Sequence, residues 1–142
     1  MKQLIKFQTT RGLDKQDYNW ENEAMNVIEE ILEEKGYDIP KAVRSDFLMP
    51  IVQYMRTKAA TNPAIRWHRP SDHDRVDAAC DQIVFNVGKI MKLGYHPEIA
   101  ISEVGKEINS RDGIIINGKF EKYLDDASIS KHYKANFTKA KV

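Results

Sequence analysis

The segment SDHDRVDAACDQIVFNVGKIMKLG, Ser71 to Gly94, decides the fold class. Its apolar residues Val76, Cys80, Ile83, Val84, Val87, Ile90 and Met91 recur every three or four positions, the period of an amphipathic helix. Ser71 or Asp72 supplies a side-chain oxygen for the unpaired N–H groups of the first turn, and Gly94 supplies the left-handed residue that closes the last. The spacing predicts one long helix ending near Leu93.

The flanking sequence repeats this pattern. Trp20, Ala24, Val27, Ile28, Ile31 and Leu32 predict a helix from Trp20 to Lys35, stopped by Gly36. Val43, Phe47, Leu48, Ile51, Val52, Tyr54 and Met55 predict another from Lys41 to Ala60, with Pro50 either kinking it or starting a fresh helix. Thr61 to Pro70 contains two prolines and reads as a loop. Beyond Gly94, Pro97 opens a helix at its first turn, and Ile99, Ile101, Val104 and Ile108 carry it to Ser110. Ile114, Ile115 and Ile116 before Asn117-Gly118 predict a short strand entering a tight hairpin turn. The chain therefore reads as all-α, a four- to five-helix bundle with a short C-terminal hairpin. One domain is expected over residues 1–125, followed at 126–142 by a basic, mobile tail whose stretch from Lys131 to Lys141 holds four lysines and no acid.

Composition narrows the function classes. At 142 residues, 42% hydrophobic and 30% charged, the chain supports one ordinary core and is not polar enough to stay disordered. Its net charge of +1 excludes a strongly basic nucleic-acid coat, so a nucleic-acid partner is not expected. The single cysteine, Cys80, forms no internal disulfide and builds no zinc site, which fits a reducing cytoplasm. Met1 to Gln8 is too short an apolar stretch for a signal-peptide core, and no run approaches the ~18 residues of a membrane span.

Acids line the edges of two apolar faces. At about 100° per residue, Asp74, Asp77 and Asp81 share one stripe of the third helix, and Glu23, Glu30 and Glu34 one rim of the first, with Glu29 and Glu33 further round. Like charges at these spacings repel, and a bound cation relieves them. Carboxylates converging from two packed helices make an oxygen-only site suited to Mg²⁺ or Mn²⁺. Asp72 and Asp74 sit in a first turn, where the helix dipole alone accounts for them; Asp81 lies beyond its reach. His68, His73, His96 and His132 show no standard ligand spacing, and no glycine-rich phosphate loop is present. Phosphate binding would rest on metal and on basic side chains.

The order of these pieces resembles a known family. VDAACDQIVFNVGKIMKLG (Val76–Gly94), EVGKEINSR (Glu103–Arg111) and NGKFEK (Asn117–Lys122), behind the acidic run of the first helix, resemble the MazG-like, phosphoribosyl-ATP-pyrophosphohydrolase-like superfamily of all-α nucleotide pyrophosphohydrolases, closest to short phage-type members. The resemblance covers roughly Glu21 to Asp125. It implies a Mg²⁺-dependent hydrolase that converts a nucleoside or deoxynucleoside triphosphate to the monophosphate and pyrophosphate. It implies Glu30, Glu33, Asp77 and Asp81 as metal ligands, with Glu29 also on the first acidic motif, and Asn109, Arg111, Lys119 and Lys122 as phosphate contacts. Glu34 is placed by proximity as the group that orients water. Ala78 stands where the family often has Glu, so Asp77 takes that role. The family also implies a homodimer or homotetramer in the cytoplasm, that of the host for a phage-encoded chain. Three other readings stay open: a phosphoribosyl-ATP pyrophosphohydrolase, a non-catalytic module binding nucleic acid through the lysine tail, and a regulatory bundle that has lost activity.

Overall fold

A computed structural model describes residues 1–117 and 119–142. The chain is mostly helical, with one small two-stranded sheet, and it divides into two compact units. The described residues contain no helix long and apolar enough to cross a membrane.

The unit Tyr18–Arg69 holds α2 (Trp20–Glu34) and α3 (Arg44–Thr61). Asn19 caps α2, its side-chain oxygen accepting the Asn22 N–H at 2.9 Å. A 3-10 turn, Lys41–Val43, precedes α3, which runs through Pro50, so no fresh helix starts there. Met25, Leu48 and Val52 are buried between the two helices, with Ile28, Leu32, Ile39 and Ile51 packed around them. Ile28, Leu32, Leu48, Ile51 and Val52 are among the residues the helical period names; Met25 and Ile39 are not, and Val27, Ile31, Phe47, Tyr54 and Met55, which it does name, are exposed.

The other unit, Met1–Asp17 with Pro70–Val142, contains α1 (Lys2–Thr10), α4 (Asp72–Lys92), α5 (Pro97–Asn109), β1 (Gly113–Ile116), β2 (Lys119–Lys122) and α6 (Asp126–Ile129). Ser71 and Asp74 form a reciprocal capping box at the start of α4. At its end Gly94, at φ 81°, lets its own N–H reach Met91 O and that of Tyr95 reach Ile90 O, closing the last turn. No residue of α4 is buried.

Around α5 the chain is tied more closely. Gly105 is buried where α1 crosses, and a Cβ added there would lie 2.6 Å from Gln3 Cβ, so the crossing depends on glycine. Arg11 stacks over the rings of Phe7 and Phe120, at 4.4 and 4.7 Å, and donates to Arg111 O at 2.6 Å and Ile108 O at 3.4 Å, capping the carbonyl end of α5. β1 and β2 pair antiparallel, Gly113 opposite Lys122 and Ile116 opposite Lys119. Asn117 at the turn has φ 50°; Gly118, the other residue of the expected turn, lies outside the described residues.

Residues 126–142, whose composition reads as a mobile tail, are hydrogen-bonded along α5. Tyr133 N donates to Ser110 Oγ at 2.7 Å, His96 N to Ala140 O at 2.7 Å, and Val142 N to Gly94 O at 2.9 Å. The segment runs back from the end of α5 to its start, and Ala140 is fully buried.

Candidate functional site

The carboxylates fall into two classes. Glu29, in α2, is buried and accepts from Arg44 Nε at 2.7 Å, while Arg44 Nη2 donates to Asn26 Oδ1 at 2.7 Å. Its charge is spent on joining α2 to α3. Glu30, Glu33 and Glu34, on the same helix, are exposed. On α4, Asp74 is taken by the capping box and Asp72 by Arg75 at 2.7 Å. Asp77 and Asp81, one turn apart, are exposed and make no hydrogen bond or ion pair with a described residue; Glu33 makes none either.

The donor chemistry fits a hard divalent cation: carboxylate oxygens only, in pairs at helical spacing, with solvent beside them. Two of the four metal candidates belong to α2 and two to α4, hence one pair to each unit. Among the described residues no group of three or more His, Cys, Asp or Glu side chains is gathered to hold a metal ion.

On α5 the acids are consumed. Glu103 is buried and receives Lys106 Nζ, the Tyr133 hydroxyl and the Asn136 N–H, the last at 3.1 Å. These bonds, that of Lys106 first, hold its carboxyl down to about 2, and in return Glu103 raises both Lys106 and Tyr133. One turn on, Glu107 Oε1 receives Arg111 Nη2 and Glu107 Oε2 the Ala135 N–H at 2.8 Å. Burial pushes the Glu107 carboxyl up, but the Ala135 N–H and the charges of Arg111 and Lys122 outweigh it and leave it lowered.

The phosphate candidates are arranged unequally. Arg111 pairs with Glu107, and the charge of Lys122 acts on the same carboxylate without a hydrogen bond or ion pair to it among the described residues. Lys119 and Lys122 are three apart in β2, which puts their side chains on opposite faces of the ribbon. Asn109 donates its amide to Gln3 O at 2.8 Å and Gly105 O at 2.7 Å; both amide protons are engaged, leaving only its carbonyl oxygen. An apolar cleft of about 470 Å³ opens over the first half of α5, between Leu4, Ile90, Leu93, Tyr95, Val104 and Phe137. It contains none of the acids or cations named above.

No family model, no curated protein and no solved structure matches this chain. The chemistry therefore rests on the residues themselves. Sequence reasoning passed over Glu103, Glu107 and Tyr133. The i,i+3 spacing of Glu103 to Lys106 and the i,i+4 spacing of Glu107 to Arg111 are legible as ion pairs, whereas nothing near Tyr133 signals a partner 30 residues away.

Proposed function

We propose that this chain is a Mg²⁺-dependent nucleotide pyrophosphohydrolase, an all-α bundle that cleaves a nucleoside or deoxynucleoside triphosphate to the monophosphate and pyrophosphate. The observation that carries the reading is the division of the carboxylates. Glu29, Glu103 and Glu107 are spent on ion pairs inside their units, while Asp77 and Asp81 stay exposed and unpaired at a spacing whose mutual repulsion a bound cation would relieve.

Asp77 and Asp81 would hold the cation on α4, and Glu30 and Glu33 are the ligands the family resemblance implies on α2, with Mn²⁺ an acceptable substitute for Mg²⁺. When bound, the ion neutralises phosphate charge and makes a coordinated water more acidic. Glu34 orients the attacking water and accepts its proton as the new P–O bond forms and the bond to the leaving pyrophosphate breaks. Arg111 and Lys122 offset the charge that accumulates on that pyrophosphate, a role the family resemblance extends to Lys119 and Asn109.

The active form is a homodimer or homotetramer. Val76, Ile83, Val84 and Met91, on the apolar face of α4, are exposed. Pairing with α4 of a second copy covers the apolar face.

Product analysis on a panel of ribo- and deoxyribonucleoside triphosphates, with and without Mg²⁺, tests the reading. Monophosphate plus pyrophosphate, formed only with the metal, is the expected result. Diphosphate plus phosphate, or no turnover of any triphosphate, refutes it.

A further inference from the structure

We propose that Glu107 is a positioning residue: it fixes the guanidinium of Arg111 for a pyrophosphate-class anion, and residues 133–136 of the C-terminal segment hold Glu107 in place. The class of anion rests on the pyrophosphohydrolase reading; the mechanical part rests on contacts within one unit.

Both carboxylate oxygens of Glu107 are occupied. Oε1 receives Arg111 Nη2, and Oε2 receives the Ala135 N–H at 2.8 Å, so the group cannot rotate without breaking one bond or the other. Arg111 is pinned at its main chain as well, where its carbonyl accepts from Arg11 Nη2 at 2.6 Å, and Arg11 is itself held between Phe7 and Phe120. Arg11 thus holds the main chain of Arg111 and Glu107 holds its guanidinium, and the N–H donors not used by Glu107 remain for a ligand. The charge of Lys122 also acts on this carboxylate, in the same direction as that of Arg111. One turn earlier, Glu103 grips Tyr133 and Asn136 and keeps the segment seated on both sides of Ala135. Preorganisation of this kind lowers the cost of ordering a long side chain when the anion arrives.

Charge and positioning predict opposite signs for one substitution. Glu107 is an anion next to a site for anions, so electrostatics alone makes Glu107→Gln bind pyrophosphate more tightly. A positioning role makes it bind more weakly despite the added net positive charge.

The experiment titrates the full-length protein calorimetrically with inorganic pyrophosphate in Mg²⁺ buffer. It compares wild type, Glu107→Gln, Arg111→Ala, the double variant and Ala135→Pro, which removes the N–H while keeping every charge, and thermal melting confirms that each is folded. Glu107→Gln and Ala135→Pro are each expected to weaken binding about tenfold, the scale of one misaligned charge-assisted hydrogen bond. Glu107→Gln is expected to add nothing once Arg111 is Ala, and in turnover to lower kcat more than it raises KM. Should Ala135→Pro fail to fold, Tyr133→Phe takes its place, with a smaller loss expected in the same direction. Equal or tighter pyrophosphate binding by Glu107→Gln overturns the proposal, as does a full effect of Glu107→Gln in the Arg111→Ala background; wild-type turnover then leaves the enzyme reading standing. A wild type that neither binds pyrophosphate nor turns over any triphosphate refutes that reading and the proposal with it.

Discussion

Two helices of the same unit carry acids at the same helical spacing and use them in different ways. α5 is 13 residues long and buries Ala100, Glu103 and Gly105, and each of its inward carboxylates is met by a cation and by a main-chain N–H from the C-terminal segment. α4 is 21 residues long and buries none, and Asp77 and Asp81 meet no described partner. Spacing alone does not separate a carboxylate that holds a fold from one that is free to bind. What separates them is whether a distant segment returns to satisfy the oxygens.

The sharpest way to break the comparison is at α4. Asp81→Ala is expected to lower nucleotide turnover by at least about 100-fold, since one member of a charge-stabilising set is removed. Its melting temperature should hold or rise slightly with the repulsion from Asp77 relieved. A pyrophosphate-release assay beside a thermal melt checks both halves. Next in size is the crossing of α1 over α5. Gly105→Ala puts a methyl against Gln3 Cβ and is expected to destabilise the unit by about 1–3 kcal/mol, read by chemical denaturation.

A third prediction concerns acid. The Glu103 carboxyl sits at about 2 in the folded chain against 4.5 in the unfolded one, so its contribution is complete above pH 4.5, shrinks as the pH falls, and is gone below about 2. Following the Asn136 amide by NMR through that window should show the C-terminal segment loosening, and Glu103→Gln should flatten the dependence. The smallest expected effect on the isolated fold is on the exposed face of α4. Ile83→Glu should leave the monomer's stability within about 0.5 kcal/mol while shifting the sedimenting species from oligomer to monomer.

Most of the helices were legible because period and punctuation agree. α2, α4 and α5 begin and end within a residue or so of the limits set by their apolar spacing, by Ser71, by Gly36 and Gly94, and by Pro97. Pro50 could not be resolved from sequence, since a helix that begins at Pro and one that passes through it share the same local pattern. α1 escaped notice because nine residues with three apolar side chains and no capping side chain carry little period. The site was legible in part. The strand period already sets Lys119 and Lys122 on opposite faces, whereas the engagement of both Asn109 amide protons depends on α1 crossing at Gly105. The order of the C-terminal segment was not legible, because its polar partners lie 23 to 48 positions back along the chain and its own composition signals only charge.

One measurement tests the central claim most directly: steady-state pyrophosphate release and thermal melting of Asp77→Asn/Asp81→Asn beside wild type, in Mg²⁺ with the best triphosphate. The account predicts that turnover disappears while the melting temperature is unchanged or raised. Undiminished turnover, or a fall in melting temperature that accounts for lost activity, would contradict it.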